Sequence, residues 1–193
     1  METITGTEKT LPSSALIQPV MQPAVHHWSR IRCGGYVAEW IAKALGNLST
    51  STNRARRGPL WLDFFRPTPP EHMKELFREQ GVLAIQASLE NMTDEERMKL
   101  IKEEIALKHH PIALLIRGQP LHWIAVAGYD DDRGLFYIYD PRIGPDSFDI
   151  VLPVGNAIIG YDRLLSEWRG RFWMKYQVIQ VISSLPGLQL KNH

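Results

Sequence analysis

The stretch Leu121–Asp140, LHWIAVAGYDDDRGLFYIYD, decides the fold of this 193-residue chain. Two runs of β-branched and aromatic residues, Leu121–Gly128 and Gly134–Asp140, flank the turn-rich segment Tyr129–Arg133. Apolar runs bounded by Asp and Gly clusters are typical of β-strands, and a connection of about five residues is typical of a hairpin. The stretch therefore predicts an antiparallel β-hairpin.

The register of this hairpin brings two polar side chains together. If Asp131 is the centre of the turn, Ile124 pairs with Ile138 and His122 lies directly opposite Asp140. The two would share one face of the sheet, with Cβ atoms about 5 Å apart. A carboxylate in that position holds one tautomer of an imidazole and stabilises its protonated form. The prediction depends on register, because a slip by one residue separates the two across the sheet.

Three helical patterns precede the hairpin. The first begins near Cys33, where apolar residues start to recur at helical spacing, and Gly46 is a natural stop. The third begins at Thr93, with Glu96 in position to complete a capping box. These two patterns predict amphipathic helices before the sheet.

The second helical pattern has its own start and stop signals. Thr68 is predicted as its N-cap, Pro69 as its first residue and Glu71 as the partner in a capping box, and Gly81 ends the helix. The apolar residues at helical spacing form its predicted buried stripe: Met73, Leu76 and Phe77.

The remaining patterns are strand-like and predict an α+β fold, in which helices precede a mostly antiparallel sheet. The polar ends of the chain, residues 1–14 and 185–193, are predicted tails around a single domain over residues 15–184. The further predicted elements are strands at Ile112–Ile116, Phe148–Leu152 and Gln177–Ile182 and a short helix around Asp162–Trp168.

Composition excludes several classes of protein. Lys and Arg number 22 against 21 Asp and Glu, so no overall positive charge favours nucleic acid or an anionic membrane as a partner. The one cysteine excludes an intramolecular disulfide and a four-cysteine zinc site. The polar N-terminus is no Sec signal peptide, and no apolar run reaches the ~18 residues of a membrane span. We expect a cytoplasmic protein, with export as an effector by another route left open.

The single cysteine, Cys33, is a candidate nucleophile. It stands at the start of the first predicted helix, with Arg30 and Arg32 just before it. A helix N-terminus and nearby cations favour the thiolate over the thiol. Gly34 and Gly35 would leave the backbone bare, so that a substrate could approach the sulfur. The alternative is a small buried hydrophobic residue, which is what free cysteines most often are.

Other polar signals favour structural interpretations. Taken alone, His122 is an ordinary strand histidine and Asp140 caps a turn before a proline. The pairs His26-His27 and His109-His110 lack metal-ligand spacing, because adjacent histidines rarely face the same ion, so no metal site is predicted.

The basic run Arg54–Arg57 is interpreted as a solvated loop. Most of the six tryptophans are expected in the core, while Trp28 and Trp123 are candidates for lining a cleft.

These blocks of sequence resemble the papain-like bacterial cysteine peptidases. That group includes plant-pathogen effector proteases and the peptidases that cut double-glycine leader peptides. The resemblance spans roughly residues 17–183 and rests on Cys33-Gly34-Gly35 at the start of a helix, on His122–Asp130 and on Tyr139–Asp146. It implies a papain-like fold in which the helix with the nucleophile packs on the antiparallel sheet.

The resemblance also implies roles for individual residues. Cys33 would be the nucleophile, His122 the general base and acid, and Asp140 the residue that orients the imidazole. The implied reaction is hydrolysis of a peptide bond through an acyl-thioester intermediate, with a peptide or protein as substrate and neither metal nor organic cofactor.

The resemblance also implies an oxyanion-hole glutamine, at a position that departs from the usual spacing. Many members of the group place it six or seven residues before the cysteine, where this chain has His26 and His27. Gln22 is the better counterpart and Gln18 the alternate, while His27 could donate only in a different arrangement. The amide of Gln22 and the backbone N–H of Cys33 would then bind the oxyanion.

Two other functions fit the same residues. An acyltransferase or a deamidase would use the same three residues with a different acceptor or substrate amide. A non-catalytic binding module on the same fold is the third possibility, supported by the histidines at the usual glutamine position. The sequence leaves the cleavage-site preference and the oligomeric state open.

Overall fold

The computed structural model describes residues 10–17, 33–47, 68–117, 121–143, 152–169 and 175–184. These parts of the chain form seven strands and four helices, so the predicted α+β class is confirmed. In chain order the elements are β1 (Ser14–Leu16), α1 (Cys33–Ala44), α2 (Pro70–Glu79), β2 (Val82–Ser88), α3 (Asp94–Ala106), β3 (Ile112–Ile116), β4 (His122–Asp130), β5 (Leu135–Tyr139), β6 (Ala157–Gly160), α4 (Tyr161–Trp168) and β7 (Gln177–Ser184).

The strands form one antiparallel sheet in the order β2-β7-β3-β4-β5-β6. The short strand β1 lies beside the last residues of β4, with Ser14 opposite Asp130. Pro12 and Ser13 also bond to the sheet through their carbonyl oxygens. The first strand therefore begins inside the segment that was expected to be a tail.

The strand β4 is buried on both faces, because helices cover both sides of the sheet. Its alternate residues Trp123 and Ala125 join the core that α1 and α2 form on one side. Ile124 and Val126 join the core that α3 and α4 form on the other side. Successive side chains of a strand point to opposite faces, so a central strand covered on both sides is apolar throughout.

The predicted register of the hairpin is wrong, by two residues where Val126 pairs with Ile138 and by three next to the turn. Val126, rather than Ile124, lies opposite Ile138, because the turn runs from Asp131 to Gly134 and β4 extends to Asp130. Nearer the turn, Gly128 lies opposite Tyr137, which leaves one extra residue in β4 as a β-bulge.

This bulge at Ala127 decides which residues share a face. In the register next to the turn, even-numbered residues of β4 share a face with odd-numbered residues of β5. Beyond the bulge, even-numbered residues of β4 share a face with even-numbered residues of β5. His122 and Asp140 therefore lie on the same side of the sheet. The predicted proximity of these two residues therefore holds although the predicted register does not.

The helix starts differ in how well the sequence predicted them. In α3 the capping box is confirmed, because the Thr93 hydroxyl accepts the N–H of Glu96 and the Glu96 carboxylate accepts the N–H of Thr93. In α2 the box is absent: the N-cap is Pro69, without a side-chain bond, and the helix starts at Pro70. A residue before proline is disfavoured in the helical conformation, so Pro69 stays extended and the start moves by one residue.

The remaining strands and helices divide into three groups. The strand Ile112–Ile116, the start of β7 and the short helix at residues 161–168 are confirmed. β1, β2 and β6 were not predicted. Most of the predicted strand Phe148–Leu152 and the tail at residues 185–193 lie outside the described residues. Within the ranges that the structure covers, no helix has the length and apolar character that a membrane crossing needs.

Candidate active site

Cys33 is the first residue of α1 and meets the start of β4. The backbone N–H of Trp123 donates to the Cys33 sulfur over 3.4 Å. Cys33 has no exposed surface. The backbone N–H groups of Trp123 and Gly34 are nevertheless close to its sulfur. The contact places the sulfur beside the peptide unit that joins His122 to Trp123.

His122 and Asp140 form a buried hydrogen bond across the sheet. His122 Nε2 lies 2.7 Å from Asp140 Oδ1, and the His122 side chain is 1% exposed. The other ring nitrogen, Nδ1, is buried and has no hydrogen-bond partner among the described residues. Because an ionised carboxylate only accepts, Nε2 is the donor and the neutral ring carries its lone pair on Nδ1. The structure thus joins His122 directly to Asp140, places the sulfur of Cys33 beside the backbone of Trp123, and leaves His122 Nδ1 without a hydrogen-bond partner among the described residues.

Arg142 completes the surroundings of the Asp140 carboxylate. Its backbone N–H donates to Oδ1 at 2.8 Å, its Nε donates to Oδ1 at 3.3 Å, and its Nη2 donates to Oδ2 at 3.1 Å. The backbone bond makes Asp140 the cap of a turn, so both interpretations of this aspartate apply. Arg142 was not predicted as a site residue, although its position two residues after an aspartate is the spacing of an Asx turn.

Asn156 holds the backbone on the other side of Asp140. Its Oδ1 accepts the N–H of Asp140 at 2.7 Å, and its Nδ2 donates to the carbonyl oxygens of Asp140 and Ile143, both at 2.9 Å. Gly155, with φ of +74°, lets this loop approach β5, because a Cβ there would collide with the carbonyl of Ile138. Neither of these two residues was predicted as part of the site, and the Gly-Asn turn signal is the one feature of the sequence that points to them.

Burial controls the pKa of Cys33. Burial raises the pKa of the thiol, and the charge of Asp140 raises it further. The N–H groups of Trp123 and Gly34 and the charge of Arg142 lower the pKa, but by less. The expectation that the start of the helix favours a thiolate is therefore wrong, because desolvation outweighs the backbone donors. Arg30 and Arg32 lie outside the described residues.

Burial also lowers the pKa of His122, although the hydrogen bond and the charge of Asp140 raise it. Asp140 is itself partly desolvated, which raises its pKa. Its bonds to His122 and Arg142 outweigh that effect and hold the pKa well below its usual range. The resting site consequently contains a neutral thiol, a neutral imidazole and an ionised carboxylate.

The first glycine after Cys33 serves packing. A Cβ on Gly34 would lie 2.6 Å from both Met73 Sδ and Thr68 Oγ1, so this glycine allows α2 to approach α1. The expectation that it leaves room for a substrate is corrected accordingly.

Trp123 donates its Nε1 to the Thr68 carbonyl at 2.7 Å and is fully buried, so it belongs to the core and does not line a cleft. Trp40 and Trp168 are buried as well.

The predicted oxyanion-hole residue Gln22, its alternate Gln18 and the neighbouring His26-His27 lie outside the described residues, as do Trp28 and Arg54–Arg57. Among the residues that are described, no three or more His, Cys, Asp or Glu side chains cluster as metal ligands.

Comparison with known proteins finds similarity to solved structures but not to known sequences. No protein-family model and no curated protein matches the sequence. A solved structure, a double glycine motif protease from an AMS/PCAT transporter in complex with the leader peptide, is similar with a TM-score of 0.50 and 12% identity. The similarity covers 86% of this chain and 93% of that protease chain. At this identity the shared property is the fold: an antiparallel sheet with helices, as in a double-glycine protease domain.

Proposed function

We propose that this protein is a papain-like cysteine peptidase in which Cys33, His122 and Asp140 act together on a peptide bond. One observation supports the proposal most strongly: the buried imidazole of His122 bonds to Asp140 through Nε2 and has its Nδ1 without a described partner. The sulfur of Cys33 lies one peptide unit from this histidine. The fold shared with a double-glycine protease supports the same class of reaction by analogy.

The reaction begins from neutral groups. As the sulfur of Cys33 attacks the carbonyl carbon, the thiol proton moves to Nδ1 of His122 and a C–S bond forms. The Asp140 carboxylate stabilises the imidazolium. The imidazolium then gives its proton to the leaving nitrogen, the C–N bond breaks, and an acyl thioester remains. Water, deprotonated by His122, attacks the thioester, releasing the carboxylic acid and restoring the thiol.

The oxyanion of each tetrahedral intermediate needs hydrogen-bond donors. The backbone N–H of Cys33 at the start of α1 is one proposed donor, and Gln22 remains the proposed side chain. Removal of one such donor typically costs about 3–4 kcal/mol of transition-state stabilisation.

Access to the sulfur requires movement. Cys33 is 0% exposed and His122 is 1% exposed, so a peptide reaches the nucleophile only after neighbouring residues shift. Closure around a bound peptide would then exclude water and strengthen the interaction between the imidazolium and Asp140.

The proposed substrate is a peptide or protein segment. The similar protease was solved with a leader peptide, so peptides that contain a Gly-Gly junction are the first substrates to test. A matched set in which Ala-Ala replaces Gly-Gly measures the preference at that junction.

Mass spectrometry of peptide mixtures tests the proposed hydrolysis. We expect the purified protein to produce fragments with new carboxyl and amino termini and C33A to produce none, because hydrolysis needs the sulfur. Circular dichroism should show that C33A is folded. Equal cleavage by both proteins would contradict the proposal, and products with an added group instead of a split chain would identify acyl transfer.

A further inference from the structure

The carboxylate of Asp140 has more partners than an orienting residue needs. Oδ1 accepts from His122 Nε2 and from the backbone and Nε of Arg142, while Oδ2 accepts from Arg142 Nη2. The Asp140 side chain is 8% exposed and that of Arg142 is 35% exposed. Arg142 therefore both neutralises a buried carboxylate and fixes the plane in which it faces His122.

We propose that Arg142 is a positioning residue of the active site: it orients the Asp140 carboxylate and offsets its charge, so that the imidazole of His122 stays neutral until the thiol proton arrives. This inference rests on the proposed function, because it assigns a task to Arg142 within the same site.

The charges around His122 support the inference. Asp140 and, from α4, Glu167 favour the imidazolium, whereas Arg142 disfavours it. The neutral thiol of Cys33 contacts the backbone N–H of Trp123, the residue after His122 in β4. Among the described charges that act on His122, Arg142 is thus the cation that opposes both carboxylates. Its removal would leave Oδ2 of Asp140 without this donor and expose His122 to the full charge of the carboxylate.

A contribution to stability alone would leave the ionisation of His122 unchanged. The hairpin turn provides a matched ion pair for comparison: Arg133 lies 3.7 Å from Asp130, three residues earlier, with 70% of its side chain exposed. Exposed pairs of this kind contribute little to stability. R133Q therefore removes an arginine next to an aspartate without touching the site.

The test measures the pKa of His122 by NMR titration of the imidazole signals, assigned with H122N. In R142Q we expect the pKa of His122 to rise by roughly half a unit to one unit, since an opposing cation is lost at a partly exposed position. R142K, which keeps the charge, should fall between the unaltered protein and R142Q. R133Q should leave the pKa unchanged. An unchanged or lower pKa in R142Q would overturn the inference.

A second measurement uses the unaltered protein, so the inference can be tested even if R142Q does not fold. The Nε proton of Arg142, bonded to the carboxylate, should give a separate NMR signal with slow solvent exchange. A fast-exchanging signal at the ordinary position would also overturn the inference. Neither measurement requires activity, so the two failures are distinguishable: an inactive protein with the expected titration would reject the peptidase while the effect of Arg142 on the ionisation of His122 would stand.

Discussion

At the scale of single residues, the protonation states in the site determine how catalysis starts. The pKa of Cys33 lies above its ordinary value of 9.0 and that of His122 below 6.5, in both cases mainly because burial disfavours the charged form. Near neutral pH the proton therefore stays on the sulfur. Catalysis depends on the transfer of this proton during the attack, and not on a thiolate formed beforehand.

This protonation state predicts the acid limb of the pH profile. Only neutral His122 can accept the thiol proton, and its pKa in the folded protein is lowered, so kcat/KM should fall to half its maximum at a pH below 6.5. Measurement of kcat/KM on a cleaved peptide across the acid range tests this expectation. An acid limb above that value would show that the imidazole is held as the imidazolium.

At the scale of secondary-structure elements, the loop before β6 fixes the site. Asn156 binds the backbone at Asp140 and Ile143, and Gly155 lies against the carbonyl of Ile138. The end of β5 and the turn that contains Arg142 are thereby attached to β6. The orientation of the carboxylate follows from this attachment together with the bulge in β4.

Replacement of Gly155 by alanine should therefore destabilise the protein. The new Cβ would collide with the Ile138 carbonyl at a residue with φ of +74°, so we expect a loss of about 2–4 kcal/mol in the free energy of unfolding. Gly134 provides the control, because its φ is +63° but a Cβ there meets nothing within 4 Å. G134A should lose only about 1 kcal/mol. Urea denaturation measures both values, and equal losses would contradict the role of the close approach.

The sequence predicted what local interactions determine. The capping box of Thr93 and Glu96 depends on residues within one helical turn, and the buried strand Ile112–Ile116 depends on a continuous apolar run. The register of the hairpin could not be predicted in this way. It depends on the bulge beside Gly128, where a Cβ would collide with Leu16 of β1, a contact made only in the folded chain.

The candidate site shows the same division. The spacing of His122 and Asp140 within one hairpin predicts their proximity, because an even shift of register keeps both on one face. Asn156 lies sixteen residues from Asp140 and bonds mainly to backbone atoms, so no side-chain pattern predicts it. The protonation of Cys33 was mispredicted because the local effect of the helix start is outweighed by burial, which depends on the whole fold.

At the scale of the whole molecule, the site forms where elements from separate parts of the chain begin. Cys33 opens α1 on one face of the sheet, and His122 opens the central strand β4. The helix and the strand meet through the N–H of Trp123. Helices on both faces bury this meeting point, which explains both the altered pKa values and the absence of exposed surface at the sulfur.

The central claim is that His122 activates the sulfur of Cys33. Since Cys33 is the sole cysteine, intact-mass measurement of the rate of iodoacetamide alkylation reports on it alone. At neutral pH, in the folded protein, we predict alkylation at least about tenfold slower in H122N than in the unaltered protein, because a general base typically contributes ~10²–10⁴-fold. H109N, at an exposed histidine in another part of the fold, should react at the unaltered rate. Equal rates in H122N and the unaltered protein, or labelling of Cys33 only after unfolding, would contradict the claim.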